Sequence, residues 1–181
     1  MSHPLPPAVA DTPLGRYYAA TKPREGERET RDLGVLDALT IRRYALTVGA
    51  RDPIHHDAGA ARAAGYADVV APPNLLAAIF EWGAGTPEDE LAPDGTPRAA
   101  ADDPGAGLRG MGAGEEMELL APVVAGTRVL CDEILDAVVY KDTRGGPCVF
   151  VTALHVFRTP DGTVLNRNRR TVVRRNPHEE P

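Results

Sequence analysis

From residue 36 to 49 the apolar residues Ile41, Tyr44, Ala45 and Val48 recur at three- and four-residue intervals, the period of a helix that buries one face. Asp37 stands where the N-cap belongs, Leu36 and Ile41 are spaced as a hydrophobic staple, and Gly49 supplies the stop. Asp57 caps a second helix over Ala58 to Ala64, which ends at Gly65. Between the two lies Ala50 to His56, where Pro53 pushes Asp52 toward extended geometry and denies the chain a helix. Leu75 to Phe80 is apolar on every side, with Pro72 and Pro73 as an entry and Asn74 as a cap. Such a pattern predicts a helix surrounded by protein.

The second half changes period. Glu115 to Leu120, Arg128 to Tyr140, Pro147 to Arg158 and Val164 to Arg174 are β-rich runs. Turn clusters at Pro122 to Gly126, Asp142 to Gly146 and Pro160 to Gly162 separate them and predict an antiparallel meander. Helices first and strands later is α+β logic, and a strongly curved antiparallel sheet around the apolar helix is the natural packing. Residues 1–13 are expected to be a flexible arm, residues 16–20 a short strand, and 24–31 a solvated, charge-mixed stretch. The Gly-, Pro- and Asp-rich run 83–114 reads as a long loop, either a lid or an exposed excursion. Residues 14–175 then form one domain, with 176–181 frayed, since 181 residues would be cramped as two domains.

Composition removes several classes of function. A net charge of -6 and an aromatic content of 5% argue against nucleic-acid binding, for want of both attraction and stacking platforms. No apolar run is long enough for a bilayer, and the opening residues lack a secretory pattern, so the expectation is a cytoplasmic protein without a membrane partner. Cys131 and Cys148 sit in β-like runs without metal-ligand spacing and read as small buried hydrophobes.

Candidate chemistry gathers in the loop between the first two helices. Histidine, with a reference pKa of about 6.5, gives and takes protons near neutrality, and a nearby carboxylate could orient it. His55 and His56 are adjacent, so their side chains diverge and one of them can face a given pocket. His55 could equally hydrogen-bond the loop and fill space, and Asp52 could simply cap the turn. A metal site built from Asp52, His55, His56 and Asp57 is disfavoured, because adjacent histidines lack one-face spacing and no distant Cys/His pair completes the set. No Gly-x-Ser-x-Gly elbow or phosphate loop is present. The arginines at 167, 169, 170, 174 and 175 could meet phosphates or an acidic partner helix, or could form a solvated edge that discourages strand pairing.

The run Gly49-x-x-Asp52-Pro53-Ile54-His55 resembles the signature loop of MaoC-like (R)-specific enoyl hydratases and 3-hydroxyacyl dehydratases, usually Gly-Asp-x-Asn-Pro-(Leu/Ile/Val)-His. Asp52 falls where that pattern has asparagine, and Ala50 where it has the catalytic aspartate. Ala71-Pro72-Pro73-Asn74-Leu75 is similar to the Ala-Pro-Pro-Thr-Phe segment of a subgroup, the fungal fatty-acid-synthase-like dehydratases. Gly112-x-Gly-Glu-Glu-Met-Glu-x-x-x-Pro122-x-x-x-Gly126 fits the same subgroup, and the likeness spans residues 14–175. The resemblance implies a hot-dog fold and the hydration or dehydration of an acyl thioester carried by coenzyme A or an acyl carrier protein, with no cofactor. It further implies His55 as general acid/base, Asp52 as a stand-in carboxylate, and Pro73, Asn74 and Leu75 as substrate-binding positions at the oxyanion end of the apolar helix. A homodimer, or a heterodimer with a second MaoC-like chain, is the expected assembly. With Ala50 at the aspartate position, the alternative is a non-catalytic acyl-binding subunit whose partner supplies the intact pair.

Overall fold

The computed structural model describes residues 5–80, 86–93, 95, 98 and 104–177. Five strands form one antiparallel sheet in the order β1-β3-β4-β5-β2: β1 (Arg28–Val35), β2 (Arg109–Leu119), β3 (Arg128–Thr143), β4 (Gly146–Arg158) and β5 (Val164–Arg175). The last three make the expected meander. β2 departs from it, because it pairs with β5 across the sheet and not with the strand that follows it. The cluster Pro122 to Gly126 is therefore a crossover and not a hairpin. It is anchored by a bridge between Val70 and Val124 and by the Ala71 N–H donating to the Val123 carbonyl at 2.8 Å.

Among the described residues, five α-helices accompany the sheet: α1 (Pro7–Ala10), α2 (Pro13–Thr21), α3 (Ala38–Thr47), α4 (Ala58–Ala63) and α5 (Leu75–Ile79). One side of the sheet carries the core. Leu75 and Leu76 of α5 and Ile41 of α3 pack there against Val129, Cys131, Phe157 and Leu165. Sheet and apolar helix thus meet as the hot-dog arrangement requires. A second cluster joins Val9, Leu14 and Tyr17 to Val138, Tyr140 and Val149 farther along the strands.

That second cluster corrects two expectations. Residues 16–20 are helical, because Thr12 caps α2 by accepting the Gly15 N–H at 3.2 Å and Pro13 fits the first turn. Part of the expected N-terminal arm is the helix α1, which buries Val9. Three smaller corrections follow. Within the supposedly solvated 24–31, residues from Arg28 onward form the edge strand β1, whose exposed charges suit an edge. Asn176, expected to fray, accepts the Leu14 N–H at 3.0 Å. Of the expected loop 83–114, residues 109–114 belong to β2, and 83–85, 94, 96, 97 and 99–103 lie outside the described residues. Residues 178–181 also lie outside them.

The arginine-rich strand is not an edge. β5 runs between β4 and β2, and two of its arginines meet carboxylates from other strands: Arg167 pairs with Glu118 at 3.1 Å, and Arg169 pairs with Asp136. Among the described residues, no helix is long and apolar enough to cross a membrane.

Candidate functional site

The loop that carries His55 is fixed at both ends by local chemistry. Asp37 accepts the Thr40 N–H at 2.8 Å to open α3, and Asp57 accepts the Ala60 N–H at 2.6 Å to open α4. α3 ends in a Schellman motif: Gly49 takes a φ of 69°, and the Ala50 N–H donates to the Ala45 carbonyl at 2.8 Å. The chain leaves α3 reversed in direction, with Ala50 opening the loop.

Pro53, expected to keep this loop out of any helix, instead starts a single 3-10 turn, Pro53–His55. Proline at a first helical position loses no needed donor, so the turn costs the ring nothing. Asp52 stands at its N-cap in extended geometry, and its Oδ1 accepts the Ile54 N–H at 3.1 Å. The imidazoles diverge as expected. His55 Nδ1 lies 2.7 Å from the Val70 carbonyl, and His56 Nε2 lies 2.6 Å from the Ala50 carbonyl.

A carbonyl oxygen can only accept, so each of those ring nitrogens carries its proton. For His55 this assigns the Nδ1–H tautomer of the neutral ring and leaves Nε2 with a free lone pair. His56 instead spends its Nε2–H on holding the loop closed against its own first residue. Both histidines are half-buried, and what separates them is the partner: His56 bonds the loop's own first residue, whereas His55 bonds Val70, outside the loop. Among the described residues, no hydrogen bond or ion pair joins the Asp52 carboxylate to the His55 ring. Asp52 is exposed and serves the turn that presents His55.

Val70, which anchors His55, leads into the wall of a cavity of about 280 Å³. Ala71, Pro72 and Pro73 line it on one side, Leu76 of α5 forms its floor, and Leu119 to Val123 and Leu165 close the other side. Of the three expected substrate-binding positions, Pro73 lines this cavity. Asn74 occupies the N-cap position of α5 but makes no side-chain capping bond, and it is exposed. Leu75 is fully buried in the core, and its N–H donates to the Pro72 carbonyl at 3.1 Å. Asn74 and Leu75 are not among the residues lining this cavity.

Three features of the sheet were not foreseen. Asn166, 2% exposed, lines the same cavity, and neither of its amide atoms has a hydrogen-bond partner among the described residues. His155 is buried between strands: its ring lies 4.4 Å from that of Phe80, and its Nε2 is 3.8 Å from Glu133. Burial lowers its pKa against the opposing pull of Glu133. Asp132, with no exposure, receives hydrogen bonds from Arg28, Thr30 and Arg158, and the Arg158 guanidinium above all holds its carboxyl well below the usual carboxylate range. A faint signal existed for the first of these, since the alternation Asn166-Arg-Asn168-Arg sets two weak strand formers on one face.

The cysteines are reduced and buried, and burial pushes the Cys131 thiol up to about 12, which leaves it inert. Among the described residues, no group of three or more His, Cys, Asp or Glu is placed to hold a metal ion.

The sequence profile of the family described as "FAS1-like, dehydratase domain region" matches residues 26–167, which cover the candidate loop, α5 and most of the sheet. A UPF0336 protein of Saccharopolyspora erythraea is 30% identical over 93% of this chain and 92% of its own. Among solved structures, the ChsH1-ChsH2 complex from Mycobacterium tuberculosis contains a chain that superposes with a TM-score of 0.68 at 21% identity, covering 93% of this chain and 94% of that one. A chain of the HadBC (3R-hydroxyacyl-ACP dehydratase) complex from Mycobacterium tuberculosis follows at a TM-score of 0.59 and 17% identity, covering 83% of this chain and 96% of that one. At those identities the two structures attest the fold.

Proposed function

Because the chain belongs to the FAS1-like dehydratase domain family, we propose that it serves the reversible dehydration of a 3-hydroxyacyl thioester to the 2-enoyl thioester, with His55 moving the proton. In the dehydration direction a base takes the C2 proton, the C2 electrons form the double bond, and the C3 hydroxyl leaves as water after protonation. The observation that carries the reading is the His55 tautomer. With Nδ1–H held by the Val70 carbonyl at 2.7 Å, Nε2 is the basic nitrogen, on a ring that does not itself line the apolar cavity but is bonded to the residue preceding its wall at Ala71. An imidazole in that state can accept the C2 proton and return it to the departing hydroxyl. Asp52 is a positioning residue, holding the turn that presents the ring.

The acyl group would occupy the cavity at Pro73, with coenzyme A or a carrier protein holding the thioester sulfur. The reading places the protein in the cytoplasm, in keeping with its two free thiols.

A second reading is favoured by two observations: Ala50 stands at the pattern's aspartate position, and no carboxylate pairs with His55 among the described residues. Under it, the chain shapes the acyl pocket and a second MaoC-like chain supplies the complete Asp/His pair. The outer edge of β2 supports a partner of either kind, since β2 pairs with β5 on one side and with no strand on the other among the described residues. Met111, Leu119 and Leu120 are also exposed there.

The test is hydration of a short 2-enoyl-CoA, followed by loss of the enoyl absorbance, with the purified chain and again with a co-expressed MaoC-like partner. Ordinary enzyme turnover by the chain by itself supports His55 catalysis and rules out the subunit reading. Turnover that appears only with the partner, and survives His55→Ala, assigns the chain the subunit role.

A further inference from the structure

We infer that the cavity beside Pro73 selects acyl groups that carry a hydroxyl beyond the reacting carbons, and that Asn166 is the residue that reads it. The inference rests on the acyl-thioester reading above and names the substrate class for that site. Asn166 lies on β5 opposite Phe157 of β4 and Leu119 of β2, on the face that packs against α5. It is 2% exposed, and both its amide nitrogen and its amide oxygen are buried without a partner among the described residues.

Folded chains leave few such atoms, because a buried carboxamide that gives up water without a replacement is destabilised. Every other wall of the cavity named above is a hydrocarbon side chain, so leucine would fit Asn166's place better if packing were the sole requirement. Asn168, its neighbour on the same face, is half satisfied: its amide nitrogen donates to Glu115 at 2.6 Å and its oxygen alone is left unpaired among the described residues. Asn166 has no such internal acceptor.

A carboxamide offers two N–H donors and one carbonyl acceptor. A hydroxyl both accepts and donates, so one hydroxyl can engage both ends of Asn166, whereas a plain methylene chain engages neither. At about 280 Å³ the cavity lies near the lower end of the roughly 300–1,000 Å³ typical of ligand pockets, which suits a short acyl segment. Its apolar walls take the methylenes, and the single carboxamide sets where the oxygen must lie.

The experiment uses the full chain and two saturated thioesters that cannot undergo the reaction, hexanoyl-pantetheine and 6-hydroxyhexanoyl-pantetheine, with binding read by calorimetry. The hydroxylated probe should bind about tenfold more tightly, and Asn166→Leu should erase that preference. The variant should melt at the same temperature as the parent or above it, because two unpaired polar atoms are gone. In the parent protein the Asn166 side-chain amide resonances should move with the hydroxylated probe and not with hexanoyl-pantetheine, which gives a readout independent of the variant. Equal binding of the two probes, a preference that survives in Asn166→Leu, or unmoved amide resonances would overturn the inference while the acyl-thioester reading stands. If neither thioester binds, both fall.

Discussion

The loop around His55 and the polar row on the sheet put the same residue types to opposite uses. On the loop, Asp52 is exposed and bonded to its own turn, and His55 is half-buried with one nitrogen fixed and the other open. On the sheet, Asp132 is enclosed by Arg28, Thr30 and Arg158, and His155 is sealed between Phe80 and Glu133. Strong pKa shifts often mark active sites, yet structural ion pairs shift pKa values too. In this chain the shifts of Asp132 and His155 belong to architecture, because Asp132 is committed to Arg28, Thr30 and Arg158, and His155 lies against Phe80 and Glu133. What recommends the loop is a ring with a defined tautomer and a free lone pair, bonded to Val70 next to the cavity wall.

The largest expected effect on stability lies in the sheet. Asp132→Ala would leave Arg158 and Arg28 without the carboxylate that joins β1, β3 and β4, at a cost of about 3 kcal/mol. Arg28 already stands partly in water, so its loss is the smaller share. Chemical denaturation of the variant measures the cost, and a change below about 0.5 kcal/mol would mean that the network is incidental.

A pH series separates the two sheet groups from each other. Asp132 has its folded pKa below the unfolded value of about 3.9, so its contribution is complete above that value and is lost as pH falls through the folded pKa. His155 is also lowered in the folded chain, so the unfolded chain takes up its proton first. Stability should begin to fall as pH drops below about 6.5 and should level off below the folded pKa of His155. His155→Gln should flatten the first decline and leave the acidic one. If the parent shows no decline between pH 7 and 5, the burial assigned to His155 is wrong.

On the loop the effects on stability are smaller. Asp52→Ala removes the cap of the 3-10 turn and should cost about 1 kcal/mol, whereas Asp52→Asn keeps a capping oxygen and should cost a few tenths. As a positioning residue, Asp52 should also tolerate asparagine in turnover. If Asp52→Asn loses turnover while its thermal melt is unchanged, its charge acts in the chemistry and the aspartate is more than a cap.

Local chemistry made much of this fold legible. Asp37 with Gly49, and Asp57 with Gly65, fix α3 and α4 within a residue or two of where the sequence put them, because capping depends on near neighbours. The meander β3-β4-β5 was equally readable from its turn clusters. α2 was misread because Tyr17, Tyr18 and Thr21 favour strands, while the decisive helix signal was Thr12 followed by Pro13. β2 was placed beside the wrong neighbour because strand pairing over some fifty residues leaves no local trace. The same reason hid Asn166: its burial arises when β5 lies between β4 and β2, and no window of sequence shows that. His55 stood out by its motif, but the carbonyl that sets its tautomer belongs to Val70, fifteen residues away.

The central claim is that one imidazole, His55, moves the proton. It is tested most directly by comparing turnover of a 2-enoyl thioester by the parent chain, His55→Ala and His155→Gln, each checked for an intact melt. The account predicts a loss of about 10²- to 10⁴-fold at His55 and a small change at His155. Undiminished turnover in a folded His55→Ala protein, or an equal loss at both histidines, would contradict it.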